Sequence, residues 1–389
     1  MDNGLLGYFL RCSLKRESVF RISLNGKPIG TSKTLPTFPQ AAFWKNRSGL
    51  PLLALSRTFR TMNKEKRQIR CIDLFAGAGG SSCGATSAGI KVVAAIDRWT
   101  LARDTFKTNF PEVKFLLESC ENVKLRLLKK EVGAVDLIIA SPECTSHTCA
   151  KGNAPRSEMS RRTAFQVVRF AKEFKPRWIV VENVVHMRSW KSYETWRRQL
   201  EDLGYNLRDQ VINAADHGVP QARRRLFVMC DRDQAPSEVK ASAGRRRTAA
   251  SVVNRNGLFK FSELRSANRA AATLQRAERA FETVGSSKPF LLVYYGSDAA
   301  GGWQRLDVPL RTLTTLDRFA LVRPTRNGHE MRMLQVPEIR AAMGFPAEYV
   351  LKHGTRREKI KLLGNAVCPP VMAAVIRTLT SPKGRHENS

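Results

Sequence analysis

Acidic residues are scarce in this chain. Only 34 Asp and Glu stand against 66 Lys and Arg, a formal net charge of +32. A surplus that large points to a polyanionic partner, above all nucleic acid. Long apolar runs are missing as well: no stretch of 18 residues reads as a membrane span, so no membrane partner is expected. The eight cysteines (Cys12, Cys71, Cys83, Cys120, Cys144, Cys149, Cys230 and Cys368) show no paired framework. In a chain of 389 residues that pattern argues against a disulfide scaffold and for reduced thiols in an intracellular setting. Cys144, His147 and Cys149 lack a fourth nearby ligand and match no common structural spacing, so no metal is expected.

What is present is enough for a large core, with 42% hydrophobic residues. Residues 1–61 are basic, with Asp2 and Glu17 their only acids, and carry little sustained periodicity. A transit peptide has this composition. A disordered arm, or a start placed too far upstream with Met62 as the true first residue, fits it better. Organised sequence begins at Ile69. The expected division is a basic extension over 1–68, a main domain over 69–230, an arginine-rich insert over 231–305, a returning segment over 306–380 and a tail over 381–389.

The main domain alternates strands and helices. Strands are expected over 69–75, 92–97, 135–140 and 178–181, and helices near 81–88, 101–109, 163–174 and 193–203. Later strands fall at 210–213 and 226–229. The run Val135-Asp136-Leu137-Ile138-Ile139-Ala140 and the run Trp178-Ile179-Val180-Val181 have the near-continuous apolar character of strands covered on both faces. The predicted fold class is therefore α/β, a doubly wound, mostly parallel sheet with a smaller inserted domain. The insert carries Arg245-Arg246-Arg247 and an Ala-rich helical stretch near 263–281, and an apolar helix over 370–379 closes the chain.

Ligands in such sheets bind outside the carboxyl ends of the strands. Cys144 follows the first apolar run and Glu182 ends the second, so a thiol and a carboxyl group share the functional edge. A lone cysteine at a strand end is more often a small buried hydrophobe. Its surroundings decide. Asp73-Leu74-Phe75-Ala76-Gly77-Ala78-Gly79-Gly80 lies between a strand and a helix, where glycines let backbone approach a ligand and free the helix N-terminus. Asp97 ends the next strand, where an acid can bind ribose hydroxyls, and Trp99 can pack on an adenine ring or simply on the sheet. The glycine spacing falls short of the full dinucleotide fingerprint.

The order of motifs is more specific than any one of them. It runs glycine loop, acid-x-Trp, Pro-x-Cys at Pro142–Cys144, Glu182-Asn183-Val184, Gln221-Ala222-Arg223-Arg224-Arg225 and Gly364-Asn365-Ala366-Val367. This order resembles the DNA (cytosine-5) methyltransferase family, over roughly residues 69–230 and 306–379. The resemblance implies an enzyme that methylates carbon 5 of cytosine in duplex DNA with S-adenosylmethionine as cofactor. It implies a monomer in the cytoplasm, associated with the nucleoid, of the restriction-modification type. Cys144 would be the nucleophile, Glu182 would hydrogen-bond the base, Arg225 would reach its carbonyl oxygen, and Arg223 would hold the Cys144 loop or nearby acids. Phe75, Gly77, Gly79, Asp97, Trp99, Asn365 and Val367 would form the cofactor site. Residues 146–161 would close over a flipped base, and the 231–305 insert would recognise the target.

Two departures mark this chain. Glu143, Thr145 and His147 stand where the family usually has Pro directly before the nucleophile and Gln-x-Phe after it, and a carboxylate close to the thiol raises its pKa. Glu118-Ser119-Cys120 stands where Gly-Asp-Ile is common, with Glu118 as the substitute acid. The competing readings are a tRNA cytosine methyltransferase, a catalytically silent DNA-binding relative and, weakest, a nicotinamide oxidoreductase, which leaves Pro-x-Cys and Glu-Asn-Val unexplained.

Overall fold

The computed structural model describes residues 67–142, 163–295 and 301–381, together with three short strands near the N-terminus. The chain divides into two units, residues 1–66 and 67–389. In the first, β1 (Leu10–Lys15), β2 (Val19–Leu24) and β3 (Lys27–Ser32) pair as an antiparallel sheet in the order β1-β2-β3. Cys144 and the expected closing loop lie outside the described residues.

The second unit is built on a seven-stranded sheet. Its strands are β4 (Arg70–Leu74), β5 (Lys91–Asp97), β6 (Lys114–Leu117), β7 (Leu137–Ala140), β8 (Trp178–Asn183), β9 (Asn206–Asn213) and β11 (Arg224–Asp231), with a short β10 at Gln221–Ala222. The order is β6-β5-β4-β7-β8-β11-β9. Strands β4 to β8 are parallel, and β11 runs antiparallel to both of its neighbours. Helices α1 (Gly80–Ser87), α2 (Thr100–Asn109), α3 (Leu125–Val132), α4 (Phe165–Phe174) and α5 (Tyr193–Glu201) connect them.

Alternation along the strands explains the two cores. Side chains on a strand point to opposite faces in turn. Leu137 and Ile139 enter one cluster with Val180, Phe227 and Met229, while Ile138 and Ala140 enter the other with Ile179, Val181 and Val228. Every residue of β7 and β8 is buried. Burying each such aliphatic side chain is worth roughly 1.5–3 kcal/mol, so these apolar runs are the main anchor of the fold.

A second sheet, antiparallel, has the order β12-β17-β16-β13-β14. It uses β12 (Ser262–Glu263), β13 (Phe290–Val293), β14 (Trp303–Arg305), β16 (Phe319–Thr325) and β17 (Gly328–Met333), with α6 (Ala271–Val284) packed against it. The boundary expected at residue 305 falls inside this sheet, between β14 and β16. The Ala-rich helix starts at Ala271 rather than near 263, because Ser262 and Glu263 pair with Met331 and Glu330. Strand β15 (Leu310–Arg311) pairs in parallel with β10.

The chain then returns through α7 (Val336–Ala342), α8 (Arg356–Asn365) and α9 (Pro369–Thr380). Contrary to the expectation of no span-like run, an 18-residue window within Arg356–Thr380 has the length and composition of a membrane span, with mean hydropathy 1.4. It is a core element here: 72% of that window is buried, and Ala366–Cys368 separates α8 from α9. Helix α9 packs on α1. Gly80 permits the close approach, since a Cβ there would lie 2.2 Å from the Val367 carbonyl oxygen. That contact brings residues 364–367 to the glycine turn.

Candidate active site

Strand order reverses between β4 and β7, and the carboxyl ends of these strands meet there. This is the topological switch point, the usual ligand position of an open α/β sheet. The Ser141 amide donates to the Leu74 carbonyl across it, and the Ser81 and Ser141 hydroxyls lie 3.4 Å apart. A cavity of about 530 Å³ opens at this point.

The glycine turn forms one wall. Phe75 is held at φ 59°, a left-handed conformation rare for a side chain of its size, followed by Gly77 at 51° and Gly79 at 78°. The Gly79 amide closes the turn on the Ala76 carbonyl at 2.8 Å. Asp97 fixes the opposite wall. Its carboxylate accepts the Gly77 amide on one oxygen and the Trp99 amide on the other, both at 2.8 Å. Burial pushes the Asp97 carboxyl above its ordinary pKa, against the pull of those amides and Arg98.

Of the expected cofactor residues, Phe75, Gly77, Asp97, Trp99, Asn365 and Val367 line this cavity. Gly79 does not. It is the residue before α1, and a Cβ there would lie 2.9 Å from both Phe110 and Tyr349, so its contacts are with the packing behind the turn. Glu118 also lines the cavity and accepts the Ser119 amide at 3.1 Å and the Asn122 side-chain amide at 3.3 Å.

The same cavity reaches Glu182, Arg223 and Arg225. Glu182 is buried near the end of β8, and Arg225 Nε lies 3.3 Å from its Oε1. Burial raises the Glu182 pKa, while the charges of Arg225 and then Arg223 hold it down. A buried carboxyl with a raised pKa keeps its proton to higher pH. Asn183 fixes the turn beside it, donating to the Pro142 carbonyl at 3.1 Å and accepting the Val184 amide at 2.8 Å. That bond fixes Pro142, the last described residue before the Cys144 loop. Arg223, expected at that loop or at nearby acids, donates to the carbonyls of Leu313, Gly364 and Ala366 at 3.0, 2.9 and 3.2 Å. Among the described residues no group of three or more His, Cys, Asp or Glu is placed to hold a metal.

Sequence reasoning passed over Ser81, Ser141, Glu121 and Lys361, all on the cavity wall. Lys361 was within reach. It lies four residues before Asn365 on α8, hence on the same helix face, and its ammonium sits 5.0 Å from the Trp99 ring centre. The serines carried no signal, because a hydroxyl beside a glycine turn is ordinary.

A profile of the family described as "C-5 cytosine-specific DNA methylase" matches residues 69–381. The type II methyltransferase M.DdeI of Desulfomicrobium norvegicum is 34% identical over 164 residues, covering 41% of this chain and 39% of that protein. M.HgiDI of Herpetosiphon aurantiacus is 33% identical over 162 residues, covering 41% and 52%. These two matches thus span about half or less of those relatives' length. M.SacI of Streptomyces achromogenes is 26% identical over 373 residues, covering 82% of this chain and 94% of that protein. Among solved structures, DNMT2 of Spodoptera frugiperda has a TM-score of 0.58 at 17% identity, covering 81% of this chain and 100% of that one. The methyltransferase EhMeth of Entamoeba histolytica has a TM-score of 0.57 at 17% identity, covering 81% and 98%. At such identities the structural likeness speaks for the fold alone.

Proposed function

Because the chain belongs to the C-5 cytosine-specific DNA methylase family, we propose that it methylates carbon 5 of cytosine in duplex DNA, using S-adenosylmethionine, with Cys144 as nucleophile. The observation that carries this reading is the single cavity shared by the two sets of residues. The glycine turn, Asp97, Trp99 and Asn365 line the same space as Glu182 and Arg225.

The cofactor half suits an adenosine-bearing group. A Cβ at Gly77 would meet no atom within 4 Å, so backbone is open to a ligand there. Trp99 offers an aromatic face and Asp97 a carboxylate at the strand end. Bound S-adenosylmethionine supplies the methyl group that carbon 5 takes up.

The protein's own part is to make carbon 5 nucleophilic. The Cys144 thiolate adds to carbon 6 of the ring, forming a carbon–sulfur bond. Glu182, which burial keeps protonated to higher pH, donates to the ring nitrogen and offsets the charge that develops. Arg225 holds the base carbonyl oxygen while its Nε stays on Glu182. Loss of the carbon-5 proton to water then expels the thiolate and restores the double bond, while the ring nitrogen returns its proton to Glu182. A base stacked in a duplex cannot reach these groups, so the cytosine is flipped into the cavity. Exposed Arg245, Arg247 and Lys240 meet phosphates.

The test is incubation with labelled S-adenosylmethionine and duplex DNA, tRNA, or DNA bearing 5-fluorocytosine. Label transfer to DNA and a trapped covalent adduct, both lost in Cys144→Ser, are expected. Transfer to tRNA alone would move the substrate to RNA. No transfer with DNA binding intact would leave a silent relative.

A further inference from the structure

Gln221 lies in β10 and Arg225 in β11, and Arg223 joins the two strands, its amide donating to the Gln221 carbonyl at 3.0 Å. Gln221 is fully buried. Its amide donates to the Ala342 carbonyl at 3.0 Å and accepts the Leu313 amide at 2.9 Å. Two residues on, the Arg223 guanidinium is buried against the Leu313, Gly364 and Ala366 carbonyls. Two further on, Arg225 meets Glu182. Residues 221–225 therefore touch the returning C-terminal chain at one end and the base-side carboxyl at the other.

The partners of Arg223 are specific in kind. Gly364 lies in the last turn of α8 and Ala366 directly follows it. Helix ends leave carbonyls without intrahelical partners, and a cation is favoured there. The two carbonyls bracket Asn365, whose side of the cavity belongs to the cofactor residues. Leu313 adds a third strut from the segment that follows β15. That segment is pressed against α8, since a Cβ on Gly364 would lie 2.3 Å from the Thr314 carbonyl oxygen. Residues 364–366 and the segment that leads into the Arg225 strand are therefore joined through the Arg223 guanidinium.

We infer that Arg223 is a positioning residue that couples the two halves of the cavity, linking occupancy around Asn365 to the placement of Arg225 and Glu182. This rests on the function proposed above. Arg223 donates to three backbone carbonyls, whereas Arg225 sits on the Glu182 carboxyl. Its planar fork reaches several acceptors at once, which a lysine ammonium on a flexible stem cannot reproduce.

The experiment measures dissociation constants of S-adenosylhomocysteine and of duplex DNA, each alone and in the presence of the other, for the wild type, Arg223→Lys and Arg223→Met. Linkage requires each ligand to change the other's affinity by one common factor, typically about 5–150-fold for coupled sites. That factor is expected in the wild type and is expected to fall to within about twofold of unity in both variants. Weakened binding of both ligands with an unchanged factor would reduce Arg223 to a structural role and overturn the inference. Should neither variant fold, amide exchange in the wild type decides. S-adenosylhomocysteine is expected to slow exchange at residues 224–226, and unchanged exchange there overturns the coupling. A wild type that binds neither ligand would instead sink the proposed function.

Discussion

Asp73 has no side-chain exposure, and its carboxylate accepts the Ser82 hydroxyl at 2.6 Å, tying β4 to α1 across the glycine turn. Burial pushes its pKa from 3.8 to about 7, with the Ser82 hydroxyl opposing and the Asp97 charge adding to the rise. The folded protein therefore holds this proton to higher pH than the unfolded chain does. The associated stability is fully present below 3.8 and is lost as pH rises through about 7. At about 1.4 kcal/mol per pKa unit, the full span is of order 4 kcal/mol, with about 2 kcal/mol of it falling between roughly pH 5.5 and pH 8. Asp73→Asn removes the titration and keeps an oxygen to accept from Ser82. Urea unfolding of both proteins across that range cancels the other titrating groups in the difference. The stability of the wild type relative to the variant is expected to fall by about 2 kcal/mol from the acid to the alkaline end. Parallel pH profiles would refute the reasoning, since they would show that the Asp73 carboxyl titrates alike folded and unfolded.

Further outcomes follow from the turn and from the second sheet. Gly79→Ala places a Cβ 2.9 Å from Phe110 and Tyr349 at a φ of 78°, and thermal unfolding is expected to show a loss of roughly 1–3 kcal/mol. Gly77→Ala meets no protein atom within 4 Å. It is expected to lose only about 1–2 kcal/mol from its backbone conformation, while calorimetry shows weakened S-adenosylhomocysteine binding. Arg332 and Glu338 form a buried bidentate pair at 2.6 and 2.8 Å, and Glu338 also accepts the Asn254 amide at 2.7 Å. Glu338→Gln leaves the guanidinium buried beside a neutral group and is expected to destabilise the protein by about 3–5 kcal/mol in urea unfolding.

The parallel core was legible because β7 and the first four residues of β8, Trp178–Val181, are apolar throughout, the pattern of strands covered on both faces. The direction of β11 was not. Leu226-Phe227-Val228-Met229 is equally apolar and gives no sign that it runs antiparallel between β8 and β9. Phe319-Ala320-Leu321-Val322 is apolar in the same way yet pairs with β13 and β17 in the second sheet, because an apolar run records burial and not its partner. Six of the seven expected cofactor residues share one cavity, since they sit at or just after a strand end or where α8 gives way to α9. Gly79 lies off that lining for a physical reason: a glycine admits close approach by a ligand and by a phenylalanine alike, and sequence does not say which comes near.

The arginine run shows most plainly what sequence alone withholds. Read as composition, Arg223-Arg224-Arg225 is a solvated basic turn, and three adjacent cations give no reason to separate them. Alternation along β11 separates Arg224 from Arg225, and Arg223 lies in the turn just before that strand. Arg224 is exposed, Arg223 is buried against three carbonyls, and Arg225 is mostly buried beside Glu182. Gln221 is buried as well. The period of two was present in the Gln-x-Arg-x-Arg spacing, but its meaning required the acceptors, and these come from residues 313, 364 and 366, roughly 90 to 140 positions away along the chain. Buried guanidinium groups survive only where acceptors surround them. The strand that carries the base-side arginine is therefore defined by the returning C-terminal segment as much as by its own sequence.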